Sequence, residues 1–182
     1  MSEELEVLGL VVRRLEAEGF AYMVTGSVAM SYYATPRMTR DIDIVVEIAA
    51  GDATRMVALF ENEFYVDRDM IVEAVRTEGL FNIIHNEYVV KVDFIVRKHD
   101  EYRQVEFGRR REISAGSLAF WIVSPEDLVL AKLWWPKDSH SEQQLSDIAN
   151  VLEQVEGLDR EYLDKWVRTL GLTEVYRRTG NG

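Results

Sequence analysis

The chain predicts an α/β (α+β) fold, with a core of mingled strands and helices followed by a helical C-terminal region. Three observations carry that expectation. Up to residue 123, helix-period segments alternate with short runs rich in Val, Ile, Tyr and Phe. From Ser124 onward only helical periods remain. Hydrophobic residues make up 47% of the 182, enough for a proper core and too many for a disordered chain. The length suits one domain with a small appendage. The division expected is a core over 1–123 and a helical region over 124–182 packed on it.

The elements follow in order. Residues 3–18 read as an amphipathic helix, with Leu5, Leu8, Val12 and Leu15 at helical spacing and Gly19 as its stop. Phe20–Thr25 is a short apolar strand. Gly26 breaks it, and a helix can start over Ser27–Tyr33. Thr35-Pro36 marks a loop, and Ile42–Ile48 is β-rich. Asp52–Glu63 reads as a helix with Met56, Leu59 and Phe60 inward, and Asp67–Thr77 as a weaker one. Leu80–Ile84 and Tyr88–Val96 read as a hairpin turning at His85-Asn86-Glu87. Residues 105–123 offer further strands, with Asp100–Phe107 alternatively helical.

Ser124-Pro125-Glu126-Asp127 is a helix start: Ser124 caps, Pro125 takes the first helical position, and Asp127 completes a capping box. That helix carries Leu128, Ala131, Lys132 and Trp135 and stops at Pro136. Ser141-Glu142-Gln143-Gln144 is a second capping box, opening a helix with Leu145, Ile148, Ala149, Leu152 and Val155 on one face. Arg160–Leu170 is the last sizeable helix.

Composition excludes several chemistries. With no cysteine there is no disulfide, thiolate zinc site or cysteine nucleophile. The acidic, periodic N-terminus is unlike a signal peptide, and no window has the apolar length of a membrane span. A cytoplasmic location is the expectation. The net charge of −11, from 32 acidic and 21 basic residues, opposes non-specific nucleic-acid binding. Arg109-Arg110-Arg111, Arg97-Lys98, and Arg37 with Arg40 are either local basic patches or ordinary solvated charges.

The chemistry concentrates in VTGSVAMSYYATPRMTRDIDIVVEI, residues 24–48. Side chains alternate along a strand, so Asp41 and Asp43 share a face while Ile42, Ile44 and Val46 share the other. Two strand positions put these carboxylates about 7 Å apart along the backbone. Carboxylates inside a β-forming segment are costly, and the obvious candidate to compensate them is a bound divalent cation. Mg²⁺ takes hard oxygen ligands, typically one or two carboxylates plus substrate phosphate. A third carboxylate is Asp93, on the strand of Val90, Val92, Phe94 and Val96 but among the opposite set, with Lys91 and Ile95. Its bland reading is a pair with Lys91 or a turn cap. Gly26-Ser27 lets a phosphate approach the backbone at a helix N-terminus.

That order of motifs over residues 20–96 resembles the DNA polymerase beta-like nucleotidyltransferase superfamily. The resemblance implies a nucleotidyltransferase fold, a mixed sheet flanked by helices. It implies a two-metal site of Asp41, Asp43 and Asp93 holding Mg²⁺ (or Mn²⁺), with Asp93 also helping to deprotonate the acceptor. Gly26 and Ser27 would then hold the triphosphate of an NTP such as ATP. Thr25 stands where many relatives have a further glycine. The stretches Ser124–Leu133 and Ser141–Ile148 are similar to bacterial AbiE toxin-type nucleotidyltransferases, which implies nucleotide-site roles for Lys132 and Asp147. Their bland readings are a surface lysine and a solvated acid. The likeness implies NMP transfer to tRNA, a protein or a small molecule, and allows an antitoxin partner. The alternative is a non-catalytic nucleotide- or partner-binding module on the same fold.

Other residues stay open. Tyr32, Tyr33, Arg37 and Arg40 line a base or acceptor site, or the tyrosines are core. Trp134-Trp135 reads as packing against a base-stacking role. His85, His99 and His140 lack metal-ligand spacing, so surface roles are the default.

Overall fold

The computed structural model describes residues 2–34, 41–134 and 142–180. Helix α1 (Glu3–Ala17) is capped by Ser2, which accepts the Leu5 N–H, and it buries Leu8, Val11, Val12 and Leu15. Strand β1 (Tyr22–Thr25) runs into α2 (Gly26–Tyr33) and is followed by β2 (Asp41–Val46), α3 (Ala53–Phe60), β3 (Phe64–Val66) and α4 (Arg68–Thr77). Then come β4 (Leu80–His85), β5 (Lys91–Val96), α5 (Glu101–Gly108), β6 (Arg111–Ala115) and β7 (Leu118–Ile122). Helices α6 (Pro125–Trp134), α7 (Glu142–Gln154), α8 (Arg160–Thr169) and the short α9 (Thr173–Arg177) follow. The expected elements are present within a few residues. Strand β3 and helix α9 are additions, and Asp100–Phe107 resolves as helix, capped by Asp100.

The strands form one seven-stranded mixed sheet in the order β3-β4-β5-β2-β1-β7-β6. β2 lies antiparallel to β1 and parallel to β5, while β4 and β5 form the expected antiparallel hairpin. Alternation along β2 and β5 sends Ile42, Ile44, Val46, Val92, Phe94 and Val96 into the core. On that face Phe60 of α3 meets Phe94, and α1 reaches α3 through Arg14, which donates to the Leu59 carbonyl. The opposite face carries Asp41, Asp43, Lys91 and Asp93, and toward it turn α2, α6 and α7.

Three readings change. His85 is buried, not superficial: its Nδ1 accepts the N–H groups of Glu87 and Tyr88, and its ring stacks on Tyr88. It ties the β4–β5 turn, where Val89 adopts a left-handed φ of 54°. The Arg109–Arg111 run divides: Arg109 and Arg110 pack into the fold, while Arg111 stays 53% exposed as a solvated charge. Arg109 pairs with Asp127 and Glu126 and lies over the Tyr162 ring, Arg110 stacks on Phe107, and Arg111 reaches Glu126. Asp127 does more than complete a cap. It is fully buried and accepts from Ser124 Oγ, Arg109 Nε, and the Tyr102 and Tyr162 hydroxyls, tying α5, α6 and α8 together. Among the described residues, no helix is long and apolar enough to cross a membrane. Thr35-Pro36, Arg37, Arg40, Trp135, Pro136, His140 and Ser141 lie outside the described residues.

Candidate active site

The parallel pairing of β2 and β5 sets the site. Asp43 faces Asp93 in register, and Asp41 faces Lys91. Neighbouring strands lie about 4.8 Å apart, so two carboxylates stand side by side on one face. Asp43 is also the register partner of Thr25 on β1, at the threshold of α2. The Ser27 N–H at the start of α2 donates to the Asp43 carboxylate. Gly26 has φ of 60°, and a Cβ there would run into that carboxylate. Glycine is therefore required twice over, by its backbone and by the close approach.

Electrostatics mark Asp43. Burial, then the Asp93 charge, pushes its carboxyl above the ordinary aspartate range, and the Ser27 N–H opposes this. Lys91 answers part of the charge. Its Nζ lies 2.7 Å from Asp93 Oδ2 and 3.8 Å from Asp41 Oδ1. The hydrogen bond to Asp93 raises the ammonium above its usual value. The Lys91–Asp93 pair read as the bland option is thus present, but it sits inside the acidic cluster rather than apart from it. Among the described residues, no three acids or imidazoles are gathered tightly enough to grip an ion as they stand. The donor set nonetheless fits a divalent cation: hard oxygens, converging from two strands, with an ammonium already standing in for positive charge.

A cavity of about 710 Å³ opens over this face. Thr25, Gly26, Ser27 and Asp43 form one end of its wall, and α6 covers it through Leu128, Ala131, Lys132 and Trp134. Asp93 and Asp41 flank Asp43 beside that wall, with Asp41 the more exposed. Lys132 reaches the wall, and Asp147 is buried behind it, 3.6 Å from Nζ. Asp147 is therefore no solvated acid; it holds the lysine. A smaller cavity of about 280 Å³, beside α1 and the β4–β5 turn, contains none of the three aspartates.

Arg103 and Glu106 on the wall were not singled out from sequence. Glu106 is buried, and both its oxygens take hydrogen bonds from Arg103 Nη1, at 3.0 and 2.8 Å. Burial lifts its carboxyl to about 7 although Arg103 pulls the other way. The i, i+3 spacing of Arg103 and Glu106 on one helix was the available signal. Trp134, read as packing, is 45% exposed, and its ring runs nearly parallel to Tyr102 at the cavity edge. Arg97 pairs with Glu47 and lies over Phe107. Tyr33 is core-side, donating to the Val123 carbonyl with its phenol pushed up to about 12 by burial, and Tyr32 packs edge-on against it. Neither tyrosine is on the cavity wall.

No protein-family model matches the chain, and no curated protein matches it in sequence. Solved structures do match in fold. The lincosamide antibiotic adenylyltransferase LnuA, in its lincomycin-bound form, aligns at 14% identity with TM-score 0.57, over 85% of this chain and 98% of that one. An antigenic nucleotidyltransferase-like protein from Paracoccidioides brasiliensis aligns at 17% identity with TM-score 0.56, over 93% of this chain and 88% of that one. The antibiotic-resistance factor ANT(2'')-Ia aligns at 10% identity with TM-score 0.56, over 94% of this chain and 95% of that one. The chain therefore has the nucleotidyltransferase fold.

Proposed function

We propose that this fold carries out metal-dependent transfer of an NMP from an NTP to a hydroxyl of a small-molecule acceptor, both bound in the 710 Å³ cavity. The observation that carries the reading is Asp43, in register with Asp93 and against the Gly26-Ser27 helix start. Asp41, Asp43 and Asp93 would hold Mg²⁺ or Mn²⁺. Such ions supply Lewis-acid charge to the acceptor oxygen and to the departing pyrophosphate. The reaction forms a bond from the acceptor oxygen to the α-phosphorus and breaks the α–β phosphoanhydride.

The remaining work belongs to this chain. Gly26 leaves room for phosphate oxygens, and Ser27 offers a hydroxyl where the positive end of α2 favours anions. Lys132, steadied by Asp147, meets the phosphates as a point charge. Asp93 receives the acceptor proton. Trp134 offers an exposed face for the base at the cavity edge.

Two features favour a small acceptor. The cavity falls within the range of about 300–1,000 Å³ typical of small-molecule sites. The net charge of −11 works against a large RNA, and Arg109 and Arg111 are engaged with Glu126. The likeness to two proteins described by antibiotic modification or resistance points the same way. The motifs around Lys132 and Asp147 carry a second reading, a toxin restrained by an antitoxin. Growth arrest on expression that disappears in Asp41→Ala is its test. The primary reading is tested by calorimetric titration of each NTP with Mg²⁺. Binding should weaken about tenfold in Lys132→Ala, the loss of roughly 1.4 kcal/mol. Unchanged affinity for every NTP counts against the assigned phosphate site.

A further inference from the structure

Lys91 occupies an unusual place. It is two residues before Asp93 on β5, so both point to the same face, and the parallel register sets it beside Asp41. Its ammonium therefore stands among the three carboxylates that the proposed reading gives to a divalent ion. The distances, 2.7 Å to Asp93 and 3.8 Å to Asp41, are those of hydrogen bonding and ion pairing. An ammonium at that spacing keeps the acids near one another without drawing them into a coordination shell.

We propose that Lys91 is a built-in counter-cation, which balances the acidic site when no metal is bound and must be displaced for a divalent ion to enter. The inference rests on reading the site as a divalent-ion site. The four-carbon stem of lysine is flexible, and the side chain is 38% exposed, so a path outward to solvent exists. Asp93, only 13% exposed at its side chain, has no such freedom and stays to meet the ion. Two consequences follow from competition for the same carboxylates. Metal affinity is lower than the three acids alone would give. The ion-free protein is more stable than it would be with three unbalanced charges on one sheet face.

The test is Mn²⁺ binding to the full chain without nucleotide, read from the electron paramagnetic resonance of free Mn²⁺, with melting curves alongside. Lys91→Gln keeps most of the length and removes the charge, while Lys91→Arg keeps the charge. Lys91→Gln should bind Mn²⁺ about tenfold tighter, because the ion no longer competes with an ammonium for the same carboxylates. It should melt lower than wild type without metal and gain more from added Mn²⁺. Lys91→Arg should show no such tightening. Equal or weaker Mn²⁺ affinity in Lys91→Gln, with wild type binding normally, overturns the role of Lys91 alone. Failure of wild type and both variants to bind Mn²⁺ overturns the metal site itself and this inference with it.

Discussion

Asp43 is held where an aspartate is uncomfortable: burial and the neighbouring Asp93 both disfavour its charge, and the compensation from Ser27 is one backbone N–H. A site built for chemistry often costs stability in this way. Asp43→Asn removes the charge at nearly constant shape. The melting temperature should rise by about 2–4 °C, the shift that about 1 kcal/mol gives in a domain of this size. NMP transfer should fall at least about 100-fold, as expected when a group stabilising transition-state charge is lost. Differential scanning calorimetry and a transfer assay on the same preparation check both halves. A variant that melts lower and keeps its activity contradicts the role given to Asp43. At this scale the sequence was informative about identity. The alternation of Asp41-Ile42-Asp43 sorted acids from core on sight, and Gly26-Ser27 stood out because a strand led into it. Lys91 was legible only as a neighbour of Asp93. Its central position comes from the Asp41↔Lys91 register, which depends on strand pairing and on no local spacing.

At the scale of elements, α5 carries the least expected group. Glu106 faces inward beside Arg103, and burial holds its carboxyl near 7 rather than at the usual 4.5. Folding therefore takes up a proton between those values, and stability falls as pH rises from about 4.5 to about 7. Glu106→Gln lacks that loss. The stability difference, wild type minus variant, should become more negative from pH 5 to pH 8, as measured by urea unfolding at both values. A difference that does not change with pH contradicts the buried, proton-binding Glu106. Helix starts were readable because their chemistry is local, as Ser124-Pro125 and Asp67 illustrate. Strand β3 was not, since Phe64–Val66 is too short for alternation to register and gains its order from pairing with β4. The reading of Arg109 as a solvated charge failed for the same kind of reason. Whether a cation is solvated depends on which acids fold against it, and Glu126 and Asp127 come from the next helix.

Across the whole molecule, Asp127 joins what the sequence divides at Ser124. Arg109 and Tyr102 approach it from the first part, and Tyr162 from α8. Removing one partner of a buried charge pair costs about 3–5 kcal/mol. Asp127→Ala should lose close to the lower figure in equilibrium urea unfolding, with one transition for the entire chain. A loss under about 1 kcal/mol, or two separate transitions, argues against a network binding the helical region to the core. This coupling bears on function because α6 covers the cavity and carries Lys132, so the lid of the site and its floor are held as one body. The proposed transfer of NMP at Asp41, Asp43 and Asp93 is tested most directly by following a label. The protein is incubated with each α-labelled NTP, Mg²⁺ and a cell extract, beside an Asp41→Ala, Asp43→Ala double variant, and the RNA, protein and small-molecule fractions are separated. Label should appear in the small-molecule fraction with wild type and not with the variant. Label transferred equally well by the double variant would contradict it.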